Sequence, residues 1–125
     1  MINDLIGKKF AYFGRGPDTY DCYGLALEIY SRLGRKLPDY ESNEDASIQA
    51  ASFLEGLEKY TDKVDIPEKY DLIMFQILPC YVSHIGVYLG RGKFIHVMHK
   101  VSVVIEELNN PIWQNKFRGF YRFRG

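Results

Sequence analysis

The sequence predicts an α+β fold in which two N-terminal helices pack on a mostly antiparallel sheet of five to six strands. Apolar residues recur at helical spacing in the first half of the chain, and the period changes to that of strands after Pro67. A Gly-Arg-Gly turn between two of the predicted strands favours antiparallel pairing. The chain has 125 residues, of which 46% are hydrophobic and 26% are charged, so we expect one globular domain over residues 1–125.

The first predicted helix begins at Cys22 and ends at Leu33. Asp21 is a typical capping residue before its first turn, and Gly34 is a residue that commonly ends a helix. The apolar residues of this helix recur at helical spacing and are Leu25, Ile29 and Leu33. Cys22 is therefore expected at a helix N-terminus.

The second predicted helix covers Ala46 to Lys59, with Asn43 or Asp45 as its cap. One apolar stripe runs along this helix and consists of Ile48, Ala51, Leu54 and Leu57. We expect both helices to precede the sheet in the chain and to pack on it.

Five segments after Pro67 have the residue pattern of strands. They are Asp71–Ile77, Val82–Leu89, Lys93–Met98, Val101–Glu106 and Phe117–Phe123. Gly90-Arg91-Gly92 predicts a tight hairpin turn between the second and third segments.

Two histidines lie in the strands of this predicted hairpin. In the first strand His84 and Gly86 share one face, and in the second His96 lies on the face opposite Ile95 and Val97. If the aliphatic faces of the two strands align, His84 and His96 lie on the same side of the sheet, directly opposed or one diagonal step apart. Gly86 is expected to leave room on this side for the end of a helix.

Cys22, His84 and His96 are the residue types that nucleophilic catalysis requires. The positive end of a helix dipole lowers the pKa of a thiol, and a neighbouring imidazole can accept its proton to form a thiolate–imidazolium pair. Backbone N–H groups in the same helix turn are candidate oxyanion donors. We predict Cys22 as the nucleophile, His84 as the base and His96 as the group that orients His84. This chemistry requires no cofactor and no metal.

Each of these residues also has a structural interpretation. A lone cysteine at a helix start is often a small buried hydrophobic residue, and a lone histidine in a sheet often only makes hydrogen bonds. A zinc site formed by Cys22, His84 and His96 with an open position for water is a further alternative. Cys80 is expected to be a bystander thiol, and His99 to be exposed and inert.

The composition limits the classes of partner. The formal net charge is zero, which gives no support for nucleic-acid binding. No apolar run reaches the roughly 18 residues that span a bilayer, so no membrane insertion is expected. The N-terminal segment also lacks the pattern of a secretion signal, and we expect cytoplasmic synthesis.

Four motifs, taken together and in order, resemble those of the NlpC-type cell-wall endopeptidases. They are Asp21-Cys22-Tyr23-Gly24-Leu25, Tyr70-Asp71-Leu72-Ile73-Met74-Phe75, Ser83-His84-Ile85-Gly86-Val87-Tyr88-Leu89-Gly90 and Phe94-Ile95-His96-Val97. The resemblance extends from about Phe10 to Phe123. It implies a papain-like α+β fold in which Cys22 matches the nucleophile, His84 the base and His96 the third polar member.

The resemblance also implies a substrate and a setting. Members of this family typically cleave amide bonds between γ-D-glutamyl and diaminopimelate or lysine residues in bacterial peptidoglycan stem peptides. Tyr23, where many secreted members have Ser, the segments Gly34-Arg35-Lys36-Leu37-Pro38 and Gly119-Phe120-Tyr121-Arg122, and the short length resemble the phage-tail-associated branch. Phage tail or prophage proteins are therefore expected partners, and a non-catalytic tail-assembly or peptidoglycan-binding module with a vestigial site is the alternative.

The same resemblance indicates residues that bind the substrate. The family usually has a Tyr upstream of the Cys. Direct counting assigns this position to Phe10, whereas a small gap assigns it to Tyr12. We expect Tyr12, Asp21 and Tyr23 to contribute to substrate binding.

Overall fold

The computed structural model describes residues 1–39, 56–57, 59–77 and 84–125. Two short strands near the N-terminus, β1 and β2, span Lys9–Phe10 and Thr19–Tyr20 and pair in parallel. The remaining strands are β3 (Thr61–Val64), β4 (Leu72–Phe75), β5 (His84–Gly90), β6 (Lys93–Met98), β7 (Val101–Glu107) and β8 (Phe117–Phe123). These six form one sheet in the order β3-β8-β4-β5-β6-β7, and each neighbouring pair is antiparallel. The α+β class and the antiparallel sheet are confirmed.

The first predicted helix is confirmed as α1, which spans Cys22–Arg32. The Asp21 carboxylate accepts a hydrogen bond from the Gly24 N–H at 2.6 Å and so caps the helix.

The second predicted helix, Ala46–Lys59, falls largely outside the described residues. Three of its positions are described, namely 56, 57 and 59, and all three are helical. The described part of the chain therefore has one of the two expected N-terminal helices. It also contains a 3-10 helix at Asn3–Leu5 and a short helix α2 at Pro111–Gln114, which were not predicted.

The hairpin of β5 and β6 has the expected turn and register. Arg91 and Gly92 have φ values of 54° and 77°, as a two-residue turn that follows the twist of the strands requires. Val87 lies opposite Ile95, so His84 lies one diagonal step from His96. This confirms the second of the two predicted arrangements.

The observed strands differ from the predicted ones at several places. β3 was not predicted because its sequence, Thr-Asp-Lys-Val, has no apolar alternation, and it lies at an edge of the sheet beside β8. β1 and β2 are too short to give a pattern. The strand predicted to begin at Val82 begins at His84 in the described residues, since residues 78–83 lie outside them.

The sheet separates two apolar clusters. α1 packs on one face, where it contacts the aliphatic side chains Ile85, Val87, Ile95 and Val97. The other face is covered by a cluster of Ile73, Phe75, Phe94 and Trp113, the last from α2. His84 and His96 lie on this second face, because their rings contact Phe75, Phe94 and Trp113.

Gly86 does not make room for a helix, so that expectation is wrong. A Cβ at this position would lie 3.0 Å from the Ile95 carbonyl oxygen and 3.2 Å from side-chain atoms of Ile73 and Phe94. The space beside Gly86 is therefore filled by its own sheet and by the aromatic cluster.

No helix in the described ranges combines the length and the hydropathy needed to cross a membrane.

Gly24 lets the chain before α1 approach the first helical turn. A Cβ at Gly24 would lie 2.0 Å from the Gly14 carbonyl oxygen. That oxygen accepts hydrogen bonds from the Asp21 N–H at 3.2 Å and from Arg15 at 3.0 Å. The motif Asp-Cys-x-Gly thus has a structural basis, since Asp21 caps the helix and Gly24 permits the contact that holds Cys22 in position.

We predict that Gly24→Ala lowers the free energy of unfolding by about 1–3 kcal/mol or more, because the gain in helix propensity is smaller than the cost of the clash. Gly56→Ala is the matched control, since Gly56 is also helical and a Cβ there meets nothing within 4 Å. Urea denaturation of both variants tests this. Equal stability of the two variants would show that the contact between Gly14 and Gly24 is not tight in solution.

Candidate active site

Cys22 is the first residue of α1, and its thiol is free. The residue as a whole is half-buried, and its sulfur is the buried part. Backbone N–H groups of Tyr23 and Ile85 interact with the sulfur as hydrogen-bond donors. Ile85 directly follows His84 in β5. The Cys22 sulfur therefore lies beside the start of the strand that begins with His84.

The resting thiol is not activated by this position. Burial raises the pKa of the Cys22 thiol to about 12, and the negative charge of Asp21 adds to the increase. The N–H groups of Ile85 and Tyr23 and the charge of Arg15 favour the thiolate but do not compensate for burial. The prediction of a lowered pKa and a preformed thiolate–imidazolium pair is therefore wrong for the free protein, and at neutral pH Cys22 is a neutral thiol.

His84 and His96 form a direct side-chain hydrogen bond. The distance from His84 Nε2 to His96 Nδ1 is 2.8 Å. His96 Nε2 makes a second, short hydrogen bond to the Glu106 carboxylate of β7. The three side chains thus form one hydrogen-bonded chain across β5, β6 and β7.

Both imidazoles are neutral at neutral pH. Burial holds the pKa of His84 well below its ordinary value, and the neighbouring His96 lowers it further. Burial also lowers the pKa of His96, although Glu106 acts in the opposite direction. A neutral imidazole has one unprotonated ring nitrogen, which a general base requires.

Aromatic rings enclose the two histidines. Trp113 contacts the His96 ring edge to face at 4.7 Å between centroids, and its distance to the His84 ring is 6.0 Å. Phe75 lies 5.8 Å from the His84 ring on the same face. This wall excludes water from the hydrogen-bonded chain and accounts for the burial that lowers both pKa values.

The three predicted substrate-binding residues have different surroundings. Tyr12 is 69% exposed, and its ring stacks on His99 with 5.5 Å between centroids. Asp21 is buried, caps α1 and forms an ion pair with Arg15 at 2.7 Å. Tyr23 is buried and donates its hydroxyl hydrogen to the Pro38 carbonyl. Asp21 and Tyr23 thus make contacts within the protein, and any effect on substrate binding is indirect.

His99 is exposed, as expected, and lies away from the other two histidines. Its ring contacts Phe10 as well as Tyr12, with 5.7 Å between the centroids of Phe10 and His99. Both candidates for the upstream aromatic position therefore contact His99, although Tyr12 is exposed and Phe10 is half-buried against the main apolar cluster. Cys80 lies outside the described residues.

The zinc alternative lacks a ligand set. In the described part of the chain, which includes Cys22, His84 and His96, no group of three or more His, Cys, Asp or Glu side chains is placed to hold a metal ion. Both ring nitrogens of His96 are used in hydrogen bonds, to His84 and to Glu106, and neither is free to bind a metal.

Glu106 and Trp113 were not predicted as members of the site. Glu106 lies opposite Phe94 in the pairing of β6 with β7, one diagonal step from His96. Strand alternation and a short hairpin at Lys100 provide a signal that could have identified it. Trp113 lies in a four-residue helix, which gives no periodic pattern.

The chain is similar to proteins of one known family. The profile of the NlpC/P60 family matches residues 7–122. The probable endopeptidase YafL of Escherichia coli is 31% identical and is aligned over 97% of this chain and 47% of its own length. The probable endopeptidase p60 of Listeria monocytogenes is 26% identical over 94% of this chain and 22% of its own length. The probable peptidoglycan endopeptidase LytE of Bacillus subtilis is 26% identical over 95% and 31%, respectively.

The chain therefore spans between about a fifth and a half of the length of these relatives.

Among solved structures, an NlpC/P60 family protein from Bacillus cereus superposes with a TM-score of 0.73 at 26% identity, over 97% of this chain and 37% of that one. RipD from Mycobacterium tuberculosis, described as a non-catalytic NlpC/p60 domain protein adapted to peptidoglycan binding, has a TM-score of 0.66 at 20% identity. The match covers 98% of this chain and 90% of the RipD chain, so the two proteins share the fold.

We predict that alkylation of Cys22 by iodoacetamide shows no inflection between pH 5 and pH 8, because the pKa of the buried thiol is raised to about 12. The rate is measured by mass spectrometry in a Cys80→Ser background, with the urea-unfolded protein as the control for an ordinary thiol. An inflection below pH 7 in the folded protein would instead show a thiolate–imidazolium pair.

We also predict that the free energy of unfolding decreases as the pH falls below about 6.5. In the unfolded chain both imidazoles have ordinary pKa values of about 6.5, whereas the folded values for His84 and His96 are lower. Below about pH 6.5 the unfolded state therefore binds protons that the folded state excludes. The free energy of unfolding should thus decrease as the pH falls further. Each histidine contributes at most about 1.4 kcal/mol per pH unit.

Urea denaturation between pH 7 and pH 5.5 measures this slope. His84→Gln should reduce it, and His99→Gln controls for the loss of an exposed histidine. A wild-type unfolding free energy that stays constant over this range would contradict the burial of neutral imidazoles.

Proposed function

Because the chain belongs to the NlpC/P60 family, we propose that it is a cysteine peptidase that hydrolyses an amide bond in bacterial peptidoglycan stem peptides. The observation that supports this best is the contact between the Cys22 sulfur and the backbone of the strand that carries His84. The free Cys22 thiol lies at the start of α1, the N–H of Ile85 contacts its sulfur, and His84 precedes Ile85 and binds His96. These are the parts that thiol-based hydrolysis requires.

In the proposed reaction, Cys22 Sγ attacks the carbonyl carbon of the scissile amide while the thiol proton passes to His84. Because the resting thiol and imidazole are both neutral, the proton moves during the attack rather than before it. The backbone N–H groups in the first turn of α1 that Asp21 does not use stabilise the oxyanion.

The tetrahedral intermediate then collapses. The carbon–nitrogen bond breaks, the amine leaves with the proton held by His84, and a thioester on Cys22 remains. Water attacks this thioester while His84 accepts one of its protons, and the protonated imidazole returns that proton to the sulfur as the acid product departs. His96 orients His84 through both steps, and no group outside the chain, the substrate and water takes part.

The proposed substrate is the bond between γ-D-glutamyl and diaminopimelate or lysine residues in the stem peptide. The relatives named as endopeptidases support this proposal, and the name of LytE specifies peptidoglycan. Tyr12, which is exposed and stacked on His99, is the proposed direct contact with the substrate. Asp21 and Tyr23 act by holding the first turn of α1 in place.

We also propose that the chain acts in a phage tail or prophage context, on the basis of Tyr23 and the segments Gly34–Pro38 and Gly119–Arg122. Mass spectrometry of purified phage particles from a producing culture tests this. Peptides of the chain in tail fractions support the proposal. Their restriction to the cell-wall fraction of uninfected cells would contradict it.

A second candidate function is peptidoglycan binding without hydrolysis. The raised pKa of the Cys22 thiol favours it, because a neutral thiol is a weaker nucleophile than a thiolate. RipD, which shares the fold, is described as such a non-catalytic protein. The hydrogen-bonded pair of His84 and His96 favours hydrolysis over this alternative, because His84 directly precedes the residue whose N–H contacts the Cys22 sulfur.

We predict that the purified chain releases new amine termini from defined muropeptides and that Cys22→Ala lowers kcat/KM by at least about 10³-fold. Cys80→Ala is the matched control and should retain activity. Mass spectrometry of the products identifies the bond that is cut, and sedimentation with cell walls measures binding. Undiminished turnover by Cys22→Ala would exclude thiol hydrolysis, and wild-type binding without products would favour the binding module.

A further inference from the structure

In the hydrogen-bonded chain from His84 to Glu106, each hydrogen bond has one donor and one acceptor. The Glu106 carboxylate determines which ring nitrogen takes which role. His96 is fully buried, while the Glu106 side chain is 30% exposed at the other end of the chain. Each histidine uses Nε2 for one of the two hydrogen bonds, and His96 uses Nδ1 to contact His84. Since a neutral imidazole has one N–H and one lone pair, each hydrogen bond constrains the next.

The constraint begins at the carboxylate. An ionised Glu106 has only acceptor oxygens, so His96 Nε2 must donate its hydrogen to it. In neutral His96, Nδ1 is then the acceptor, and His84 Nε2 must donate to it. Neutral His84 therefore has its hydrogen on Nε2 and its lone pair on Nδ1.

With the donors and acceptors exchanged, His84 could no longer act as the base. If the group at position 106 donated a hydrogen, His96 Nδ1 would carry the hydrogen and donate to His84 Nε2. His84 would then have its hydrogen on Nδ1, and its only lone pair would be used in the contact with His96. No nitrogen of His84 would be able to accept the proton of Cys22.

We propose that Glu106 is a positioning residue that sets the tautomers of both histidines and so provides the lone pair of His84 on Nδ1 for the Cys22 proton. This inference rests on the proposed function, and it adds a residue and an atom assignment. Burial makes the effect strong, because Phe75, Phe94 and Trp113 surround the two rings and exclude water that would otherwise replace a missing partner.

Nuclear magnetic resonance of histidine side-chain nitrogens tests the tautomers without substrate. At pH 7.5 the wild-type protein should show the hydrogen on Nε2 in both His84 and His96. Hydrogen on Nδ1 of either ring would overturn the inference. Because this readout requires no turnover, it can succeed or fail separately from hydrolysis.

Variants at position 106 test the cause. Glu106→Lys replaces the acceptor with a donor and should move the hydrogen of both histidines to Nδ1, and Glu106→Leu should leave a mixture of tautomers. Both should lower kcat at least about tenfold with KM within about twofold. Glu106→Gln, which retains an acceptor oxygen, should restore the wild-type tautomers in part.

Glu107→Lys and Glu107→Leu are the matched controls, since Glu107 is the exposed neighbour in the same strand. They make the same changes in charge and should keep wild-type tautomers and kcat. Wild-type tautomers and kcat in Glu106→Leu or Glu106→Lys would overturn the inference. A wild-type protein with the expected tautomers but no hydrolytic activity would contradict the proposed function and leave the assignment of Glu106 intact.

Discussion

The position of the Cys22 thiol depends on the contact between the first turn of α1 and the loop before it. The Asp21 carboxylate binds the Gly24 N–H at 2.6 Å, and the Gly14 carbonyl oxygen occupies the space that a side chain at Gly24 would take. This contact holds the helix start where the sulfur meets the N–H of Ile85. The other candidate site residues belong to the sheet, so this contact holds Cys22 beside the strand that carries His84.

Burial has two opposing effects on the site. It makes the Cys22 thiol a weak acid and holds both imidazoles neutral, so that the free protein lacks a ready thiolate. The same burial strengthens the hydrogen bonds between His84, His96 and Glu106, because water does not compete for them. Cys22, His84 and His96 are therefore neutral in the free protein, and in the proposed reaction charge develops on them only while the substrate reacts.

Much of the fold was predictable from the sequence. Of the candidate site, Cys22, His84 and His96 were identified from the sequence, whereas Glu106 and Trp113 were not. Alternation identified the strands around His84 and His96, and the turn at Arg91 and Gly92 set their diagonal arrangement. Asp21 identified the start of α1 as its capping residue. β3 was missed because an edge strand packs few apolar side chains, and its pairing with β8 joins residues far apart in the sequence.

The remaining features depend on tertiary packing. Whether the space beside Gly86 holds a helix or an aromatic cluster depends on where Phe94 and Ile73 lie. The pKa of Cys22 is raised mainly by burial, and the burial of a side chain cannot be read from its position in a helix. Glu106 joins the site only through the pairing of β6 with β7.

The most direct measurement is mass spectrometry of the protein quenched in acid during turnover of a stem peptide, followed by peptide mapping. If Cys22 is the nucleophile, the acyl half of the substrate should be found on the peptide that contains Cys22, as a thioester that neutral hydroxylamine releases. An acyl group on a different residue, or continued product release by protein whose Cys22 is fully alkylated, would contradict this role of Cys22.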